Sequence, residues 1–504
     1  MHPSAVLKTL IPALLVAACD PLDDDDAAWD HIDDGVEFRE VYPCDQYAAK
    51  IPQNPDAMMA LFRKVEVITN NAVIRDPCRT SLDPNVWLLN KCPLSSQGVW
   101  TFWHLMSQMA GTNNTSGFIM TMLESMEGTP LVNDVPLQAR SKVRALVIDP
   151  WRTASGCLAG KKWVDDKCEL DPKRAPFALT AVVNRIDLRP DTVNLNQGGY
   201  IPPPDSKDTA GEGRFVFQFT NQIGTPFEGG IILEYALPTK LQNRVTWAND
   251  WLSLNNFAAF DAAYVARLQQ ITDKFTKKGA FPGRPNFGSA INAVRTNERA
   301  FDTKPALSSQ WSLRAFKLAC SGICPVDGKS LLPQIVDQTP LNSLQNDQVR
   351  LLPFLNANAV KIRTGTHTVP EDFDGAPFIG GESLSQPLFA PSPFIWAFDL
   401  LMNDLLDDKL NAPDTRRLFA IGTCNGCHYK ETENVTNMHI RLPAKGADVQ
   451  VSDFLSKTPL TLSTIFDKNE NLVQFNEPKR RLCELFHTQT GQGNVLTTAF
   501  GSPH

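Results

Sequence analysis

The sequence lacks the features that mark several large protein classes. Beyond the N-terminus, no run of about 18 apolar residues exists, so no segment of the body is expected to span a bilayer as a helix. No stripe of basic residues is present, which disfavours nucleic-acid binding. There is no internal repeat, and no serine nucleophile elbow, phosphate-binding loop or dinucleotide-binding fingerprint. The sequence therefore leaves open whether the protein is an enzyme.

An excess of negative charge is confined to one segment near the N-terminus. The 504 residues carry a net charge of −7, yet residues 20–40 alone contain ten Asp and Glu against one Arg. Beyond residue 40, 46 basic and 45 acidic side chains nearly cancel. The acidic segment is typical of a self-repelling, solvated tether. Calcium binding is the alternative, but the turn glycines of a calcium loop are missing.

An export signal precedes this tether. Residues 9–18 are uncharged and mostly apolar, and they follow Lys8. This segment is too short to span a bilayer as a helix of the mature protein and is typical of a signal peptide. The sequence LVAAC at residues 15–19 resembles a bacterial lipobox, which predicts a diacylated Cys19 that anchors the protein to a membrane of the cell envelope, on its periplasmic or outer-membrane side. The alternative is an ordinary signal peptide cleaved near Ala18.

A C-x-x-C-H motif at residues 424–428 is the strongest functional signal. It is the attachment motif of c-type haem, with the histidine as an iron ligand. On a helix, Cys424, Cys427 and His428 can share one face. With 11 Cys and 8 His in the chain, roughly 0.004 such motifs are expected by chance. The motif predicts haem c, and export supports it because haem is attached only outside the bacterial cytoplasm.

The second axial ligand would decide what such a haem does. Electron carriers use two axial ligands, whereas ligand-binding or peroxidatic sites use one. With His428 as the first ligand, Met438 and His439 lie ten and eleven residues downstream, within reach of a chain reversal. His487 and His367 are more remote alternatives. A methionine would raise the reduction potential, and a second histidine would lower it.

Other uses of the same cysteines remain open. Cys424 and Cys427 could form a redox-active pair, although the expected β-α-β context is absent. They could join His428 and His439 in a zinc site, although the spacing fits zinc fingers badly. They could also form a plain disulfide in a non-redox protein.

Eight further cysteines are consistent with disulfide pairing in an oxidising compartment. Proximity along the chain favours three local pairs and one pair that joins the two ends: Cys78 with Cys92, Cys157 with Cys168, Cys320 with Cys324, and Cys44 with Cys483.

Apolar periodicity alternates irregularly between the helical and strand periods. It predicts helices at residues 58–68, 99–109, 118–126, 257–275 and 394–406, and strands at residues 177–183, 214–219, 231–236, 311–318 and 349–354. The strands at 214–219 and 231–236 are expected to form a hairpin. This order predicts an α+β fold, a large mixed body with antiparallel strands and peripheral helices, followed by a mainly helical C-terminal haem segment.

Four regions follow from these patterns: a lipoprotein signal peptide at residues 1–18, an acidic tether at 19–40, an α+β body at 41–393 and a cytochrome c-like segment at 394–504. Seven polar residues of the strand-rich region could line a pocket, but such residues more commonly form buried ion pairs. They are Asn184, Arg185, Asp187, Arg214, Glu234, Asn297 and Glu298.

Several phrases resemble uncharacterised, myxobacterial-type envelope lipoproteins that contain C-x-x-C-H. The phrases are TCNGCH at 423–428, ET at 431–432, MHIR at 438–441, SDFL at 452–455, VNRIDLR at 183–189, GEGRF at 211–215 and RTNE at 295–298. The likeness covers roughly residues 140–460. It implies that the histidine matching His439 is the second haem ligand. It brings no established activity. The chain departs from small soluble cytochromes c, since Arg416 stands where a glycine is usual.

The sequence thus predicts a lipid-anchored envelope protein with one covalent haem c that transfers electrons to or from a redox partner protein. The alternatives are a non-redox binding or scaffold lipoprotein and a peroxidase-like haem enzyme.

Overall fold

The structure is a computed structural model. It describes residues 47, 49–129, 139–157, 169–189, 209–239, 243–298, 310–334, 428, 438–457 and 476–491, with the short stretches 131–132, 135–136, 357–358, 372–373, 376–377, 382–384, 464–466 and 472–474.

Eleven α-helices lie in these residues. They are α1 (Pro55–Val65), α2 (Asn71–Ile74), α3 (Pro84–Leu89), α4 (Phe102–Met109), α5 (Thr115–Ser125), α6 (Asp149–Ala154), α7 (Arg244–Leu252), α8 (Ala262–Thr276), α9 (Pro285–Gly288), α10 (Asp453–Ser456) and α11 (Glu477–Gln489). A π-helix, Arg144–Ile148, precedes α6.

The described residues contain sixteen strands. They are β1 (Val67–Ile68), β2 (Leu131–Val132), β3 (Val135–Pro136), β4 (Phe177–Arg185), β5 (Thr209–Thr220), β6 (Pro226–Pro238), β7 (Ile291–Glu298), β8 (Gln310–Ala319), β9 (Ser330–Gln334), β10 (Asp372–Phe373), β11 (Ala376–Pro377), β12 (Glu382–Leu384), β13 (Ile440–Arg441), β14 (Gln450–Val451), β15 (Thr464–Phe466) and β16 (Leu472–Gln474).

One eight-stranded antiparallel sheet organises the part of the chain that the structure describes. Its order is β1-β4-β5-β6-β7-β8, and the far edge of β8 pairs with both β9 and β12. The α+β prediction is confirmed. The predicted hairpin of β5 and β6 is also confirmed, because these strands are antiparallel neighbours joined by a short turn.

The apolar face of the sheet is built by side chains that stand opposite one another on adjacent strands. The row Val182, Phe215, Leu233, Val294 and Phe316 crosses five strands from β4 to β8. All five side chains are buried. Because successive residues of a strand point to opposite faces, the residues between them form the second face.

Helices α4 and α8 cover this apolar face. The Phe102 ring of α4 lies 5.6 Å from that of Phe217, and the Phe275 ring of α8 lies 6.4 Å from that of Phe215. The close approach of α8 requires glycine at position 213, since a Cβ there would lie 2.5 Å from the Phe275 ring.

Charged residues occupy the second face. The row next to the apolar one runs from Val183 through Arg214 and Glu234 to Ala293, and Arg295 stands opposite Ile232. We call this the charged face. Although the face is charged, all twelve residues of β5 are buried, so the charged face must also be covered.

The C-terminal part of the chain supplies this cover. The Leu442 amide donates a 2.6 Å hydrogen bond to the Gln218 side chain on β5. In α11, Arg480 Nη2 donates to Asp187 Oδ2 at 2.8 Å. Leu482 and Leu485 of the same helix are fully buried in the hydrophobic core of the body.

Helices α1, α4, α5 and α8 correspond to the helices predicted at 58–68, 99–109, 118–126 and 257–275. Helices α1 and α5 end earlier than predicted, and α4 and α8 begin later. The predicted strands at 177–183, 214–219, 231–236 and 311–318 correspond to β4, β5, β6 and β8. The predicted strand at 349–354 and helix at 394–406 lie outside the described residues. None of the described helices combines the length and the apolar composition needed to cross a bilayer.

Two of the predicted disulfides are confirmed, Cys78–Cys92 and Cys320–Cys324. Cys157 and Cys483 are also disulfide-bonded. Their predicted partners, Cys168 and Cys44, lie outside the described residues.

Candidate functional site

A cavity of about 90 Å³ lies between the charged face and the C-terminal cover. The sheet contributes apolar side chains such as Val216 and Ile232, and the cover contributes Ile440, Phe454 and Leu455. Three candidate haem ligands from the sequence, His428, Met438 and His439, also line it.

The structure brings His428 and His439 into direct contact. Their ring centroids are 4.4 Å apart, with the ring planes tilted by 49°. His428 is 5% exposed, whereas His439 is partly exposed, and the Phe454 ring lies 5.1 Å from that of His439. Two histidines that are eleven residues apart along the chain are thus in direct contact in the fold.

The short β13–β14 ladder fixes His439. Its carbonyl oxygen accepts a 2.8 Å hydrogen bond from the Ser452 amide, and its Nδ1 lies 2.7 Å from Ser452 Oγ. Because Nδ1 is engaged by the hydroxyl, metal binding by this ring would use Nε2. Such a bond from the other ring nitrogen is typical of metal-binding histidines.

The surroundings keep His439 neutral. Burial lowers the pKa of its imidazole well below the usual value, and the neighbouring His428, Arg481 and Arg185 lower it further. A neutral imidazole is the form that binds metals.

Met438 lies on the same cavity, buried against the sheet. Its Cε would be 3.5 Å from a Cβ added at Gly230, which also lines the cavity. Both predicted candidates for the second ligand therefore line the same cavity as His428, so their positions along the chain do not decide which of them binds.

Four arginines form the polar wall of the cavity: Arg185, Arg214, Arg295 and Arg481. We call them the arginine wall. All four are buried. The first three come from β4, β5 and β7 of the charged face, and the fourth comes from α11.

Each of these arginines is held by a carboxylate. Arg185 binds both Asp187 oxygens, at 2.9 and 3.0 Å. The other pairs are Arg214 with Glu212 at 2.7 Å, Arg295 with Glu234 at 2.8 Å, and Arg481 with Glu477 at 2.7 Å.

The pKa values of the carboxyls in this network are shifted in opposite directions. Burial opposes ionisation of Asp187, yet Arg185 and Arg480 hold the pKa of its carboxyl well below the usual value. Arg480 and Arg481 lower the pKa of the Glu477 carboxyl in the same way. By contrast, burial and then Asp187 raise the pKa of Glu66 well above its usual value, so its carboxyl retains a proton where an exposed one would not.

Of the seven polar residues singled out from the sequence, all are buried. Arg185, Asp187, Arg214 and Glu234 form ion pairs, and Glu298 pairs with Arg140 and Arg314. Arg185, Arg214 and Asn297 additionally line the cavity. The two interpretations offered from the sequence, ion pairs and pocket lining, therefore both apply.

Other predicted site residues lie elsewhere. His487 is buried in α11, where its Nδ1 lies 2.7 Å from the Tyr47 hydroxyl, and it is not among the residues that line the cavity. Cys19, Cys424, Cys427 and His367 lie outside the described residues.

Sequence reasoning missed the remaining members of the arginine wall, Arg295 and Arg481, and also Glu477, the partner of Arg481. A signal existed in α11, where Glu477, Arg480, Arg481 and Glu484 follow steps of three and four and so share one helix face. The burial of that face could not be read from the pattern, because charged faces usually meet solvent.

The donor set fits a haem by residue type. Two imidazoles and a thioether are axial haem ligands, and the lining offers apolar contact beside cationic groups. The His428 and His439 rings are closer together than a haem between them would allow, since two imidazoles on opposite faces of one porphyrin cannot touch. Haem binding would therefore move His439 away from His428. Among the described residues, no group of three His, Cys, Asp or Glu side chains is arranged to hold a metal ion.

No protein-family model, no curated protein and no solved structure matches this chain.

Proposed function

We propose that this protein is a haem protein of the bacterial cell envelope, with one haem c attached at Cys424 and Cys427 and ligated by His428 and His439. The observation that carries the proposal is that His428, which directly follows the second cysteine of the motif, and His439 line the same cavity.

The role proposed for this centre is electron transfer with a partner protein. Haem iron with two axial ligands supplies one-electron redox chemistry. The chain's own residues would position its ligand: Ser452 engages Nδ1 of His439 and so leaves Nε2 for the metal, and the Phe454 ring packs beside the same histidine.

Zinc is the second candidate, and the contact between the rings favours it. Two imidazoles that bind one small ion from the same side lie close together, as these do. Cys424, Cys427, His428 and His439 would then supply the four ligands of a tetrahedral structural site. This candidate carries no redox function, so the two are separated by the identity of the bound metal.

Covalent attachment is the direct test of the haem proposal. The full chain, exported in a host with haem-maturation machinery, should retain its haem after acid-acetone extraction, as measured by a pyridine haemochrome spectrum. The double variant Cys424→Ala and Cys427→Ala should lose the retained haem, while Cys78→Ala with Cys92→Ala, remote in sequence from the motif, should keep it. Retained haem in the first variant, or stoichiometric zinc and no haem in the native chain, would contradict the proposal.

The envelope location rests on residues 15–19. Mass spectrometry of the mature N-terminus should find a diacylglyceryl group on Cys19. Cys19→Ala should release the protein from the membrane fraction. An N-terminus that begins at Asp20, or an unmodified Cys19, would show that the lipid anchor is wrong while leaving the haem proposal intact.

A further inference from the structure

One loop of the body exposes three leucines to solvent. Leu88, Leu89 and Leu94 are 81%, 82% and 88% exposed. Seven large apolar side chains are exposed among the described residues, and three of the seven belong to this loop. We call residues 84–97 the leucine loop. Apolar side chains that are exposed singly need no explanation, but a group of them indicates a surface that meets an apolar partner.

Helix α3 opens the leucine loop and is apolar without belonging to the core. Its sequence PNVWLL has four consecutive apolar side chains, yet none of its six residues is buried. The half-buried Trp87 donates its indole N–H to the Ser81 carbonyl oxygen at 2.8 Å, which holds this ring against the body. Leu88 and Leu89 follow it and remain in solvent. The helix therefore presents apolar area that the fold itself does not use.

The base of the leucine loop is fixed to the body. The disulfide Cys78–Cys92 ties the loop to the segment before it. The Cys92 amide donates to the Trp87 carbonyl oxygen at 2.9 Å, and the Gly98 amide donates to the Cys78 carbonyl oxygen at 2.8 Å. These bonds keep the leucines from folding back onto the core, so their exposure is a property of the fold.

The charges beside the leucines are mainly positive. Lys91 is the only charged residue between positions 84 and 100. Its φ of +51° is left-handed, a conformation that glycine adopts at lower cost, and yet the position carries a cation. At the start of α3, Asp83 caps the helix and lies 3.9 Å from Lys173 Nζ, and the next residue, Arg174, is exposed. Three cations thus flank the loop against one carboxylate.

The proposed lipid anchor brings this surface close to a membrane. Only 27 residues lie between Cys19 and Tyr47, the first described residue. A fully extended chain of this length spans at most roughly 100 Å. A diacylated Cys19 would therefore keep the body near the bilayer. Exposed leucines with cations beside them are the combination that binds the interface of an anionic bilayer.

We propose that the leucine loop is a second membrane contact, which inserts Leu88, Leu89 and Leu94 into the apolar boundary of an anionic bilayer and sets Lys91 among the headgroups. The inference rests on the proposed envelope location and not on the haem. A lipid anchor alone holds the body near the membrane without fixing its orientation. The loop supplies the contact that turns one face of the body toward the bilayer.

Flotation with lipid vesicles tests the loop apart from the anchor. The mature chain carries Cys19→Ala and is exported behind a cleavable signal peptide, so no acyl chain contributes to binding. This parent chain should bind vesicles that contain phosphatidylglycerol several-fold more tightly than vesicles of phosphatidylcholine alone. Leu88→Ser combined with Leu89→Ser should weaken binding to the anionic vesicles about 100-fold, because each leucine contributes about tenfold. Lys91→Gln should weaken it about fivefold.

Ile223→Ser is the matched control. Ile223 is 70% exposed on the turn between β5 and β6, outside the leucine loop, so this variant should bind as the parent chain does. Leu94→Ser lies beyond Cys92 and provides a second variant if the double variant does not fold. It should weaken binding about tenfold.

Two outcomes would overturn the inference. If the parent chain binds neither kind of vesicle, the loop is a docking surface for a protein and not for a bilayer. If the leucine variants bind as tightly as Ile223→Ser, the loop is not the membrane contact. Vesicle binding by the parent chain that the leucine variants lose, together with an unmodified Cys19 in the native protein, would support the loop and contradict the lipid anchor.

Discussion

At the scale of single residues, buried charge is the most unusual property of this protein. Arg189 and Glu484 are fully buried and form a 2.9 Å ion pair between side chains 295 residues apart. Burial nonetheless raises the pKa of Glu484 to about 7, because Arg189 only partly offsets the loss of hydration. A carboxyl of this kind makes the stability of the fold depend on pH.

The sign of this dependence follows from the raised pKa. Between the unfolded value near 4.5 and the folded value of about 7, the native protein binds a proton that the unfolded chain has released, so stability falls as the pH rises. A shift of this size corresponds to about 3 kcal/mol. Between pH 5 and pH 8, the free energy of unfolding of the native protein should fall by up to about 3 kcal/mol more than that of Glu484→Gln.

Urea unfolding at the two pH values measures this difference. Glu169→Gln, which changes an exposed carboxyl, is the control and should follow the native pH profile. If the stability of Glu484→Gln depends on pH as that of the native protein does, then Glu484 is ionised throughout the range and the prediction is wrong.

At the scale of elements, the sequence predicted the existence of most helices and strands but not their ends. The stripe that runs from Phe257 to Phe275 continues before helix α8, which begins after Asp261, because the Asp261 side chain accepts a hydrogen bond from the Tyr264 amide and caps the helix. Phe260 belongs to the preceding turn, and its ring packs edge-on against Tyr264, 4.9 Å away. Phe257 and Phe260, which precede the helix, thus made the predicted helix longer than the observed one.

A second boundary shows tertiary structure overriding local pattern. Ile68 continues the apolar spacing of α1, yet the helix ends at Val65. Val67 and Ile68 instead pair with Val183 and Val182 as edge strand β1. No local signal distinguishes these outcomes, because the partner strand lies more than 100 residues away along the chain.

The site was predictable to the extent that it is local. The C-x-x-C-H motif and the histidine eleven residues later are close in sequence, and the histidines are in contact in the fold. The arginine wall was not predictable as a unit. It depends on the register of β4, β5 and β7 and on the docking of α11, which joins Arg480 to Asp187 across 293 residues.

At the scale of the whole molecule, the C-terminal cover and the body share one core. Helix α11 packs its apolar side chains into the core of the body, its Arg480 binds Asp187 just after β4, and its Arg481 lines the cavity at the charged face of the sheet. Tyr47 near the start of the described chain meets His487 near its end. The candidate ligands at 428, 438 and 439 lie under this cover, so occupancy of the site and packing of the C-terminus are expected to be coupled.

The central claim, that His428 and His439 ligate one haem, is tested most directly by the ferric absorption and electron paramagnetic resonance spectra of His439→Ala beside Met438→Ala. The account predicts a low-spin native protein without the weak sulfur-to-iron band of methionine ligation, a Met438→Ala variant that stays low-spin, and a His439→Ala variant that becomes high-spin. The reverse pattern would assign the ligand role to Met438. Low-spin iron in both variants would contradict the claim that either residue binds the metal.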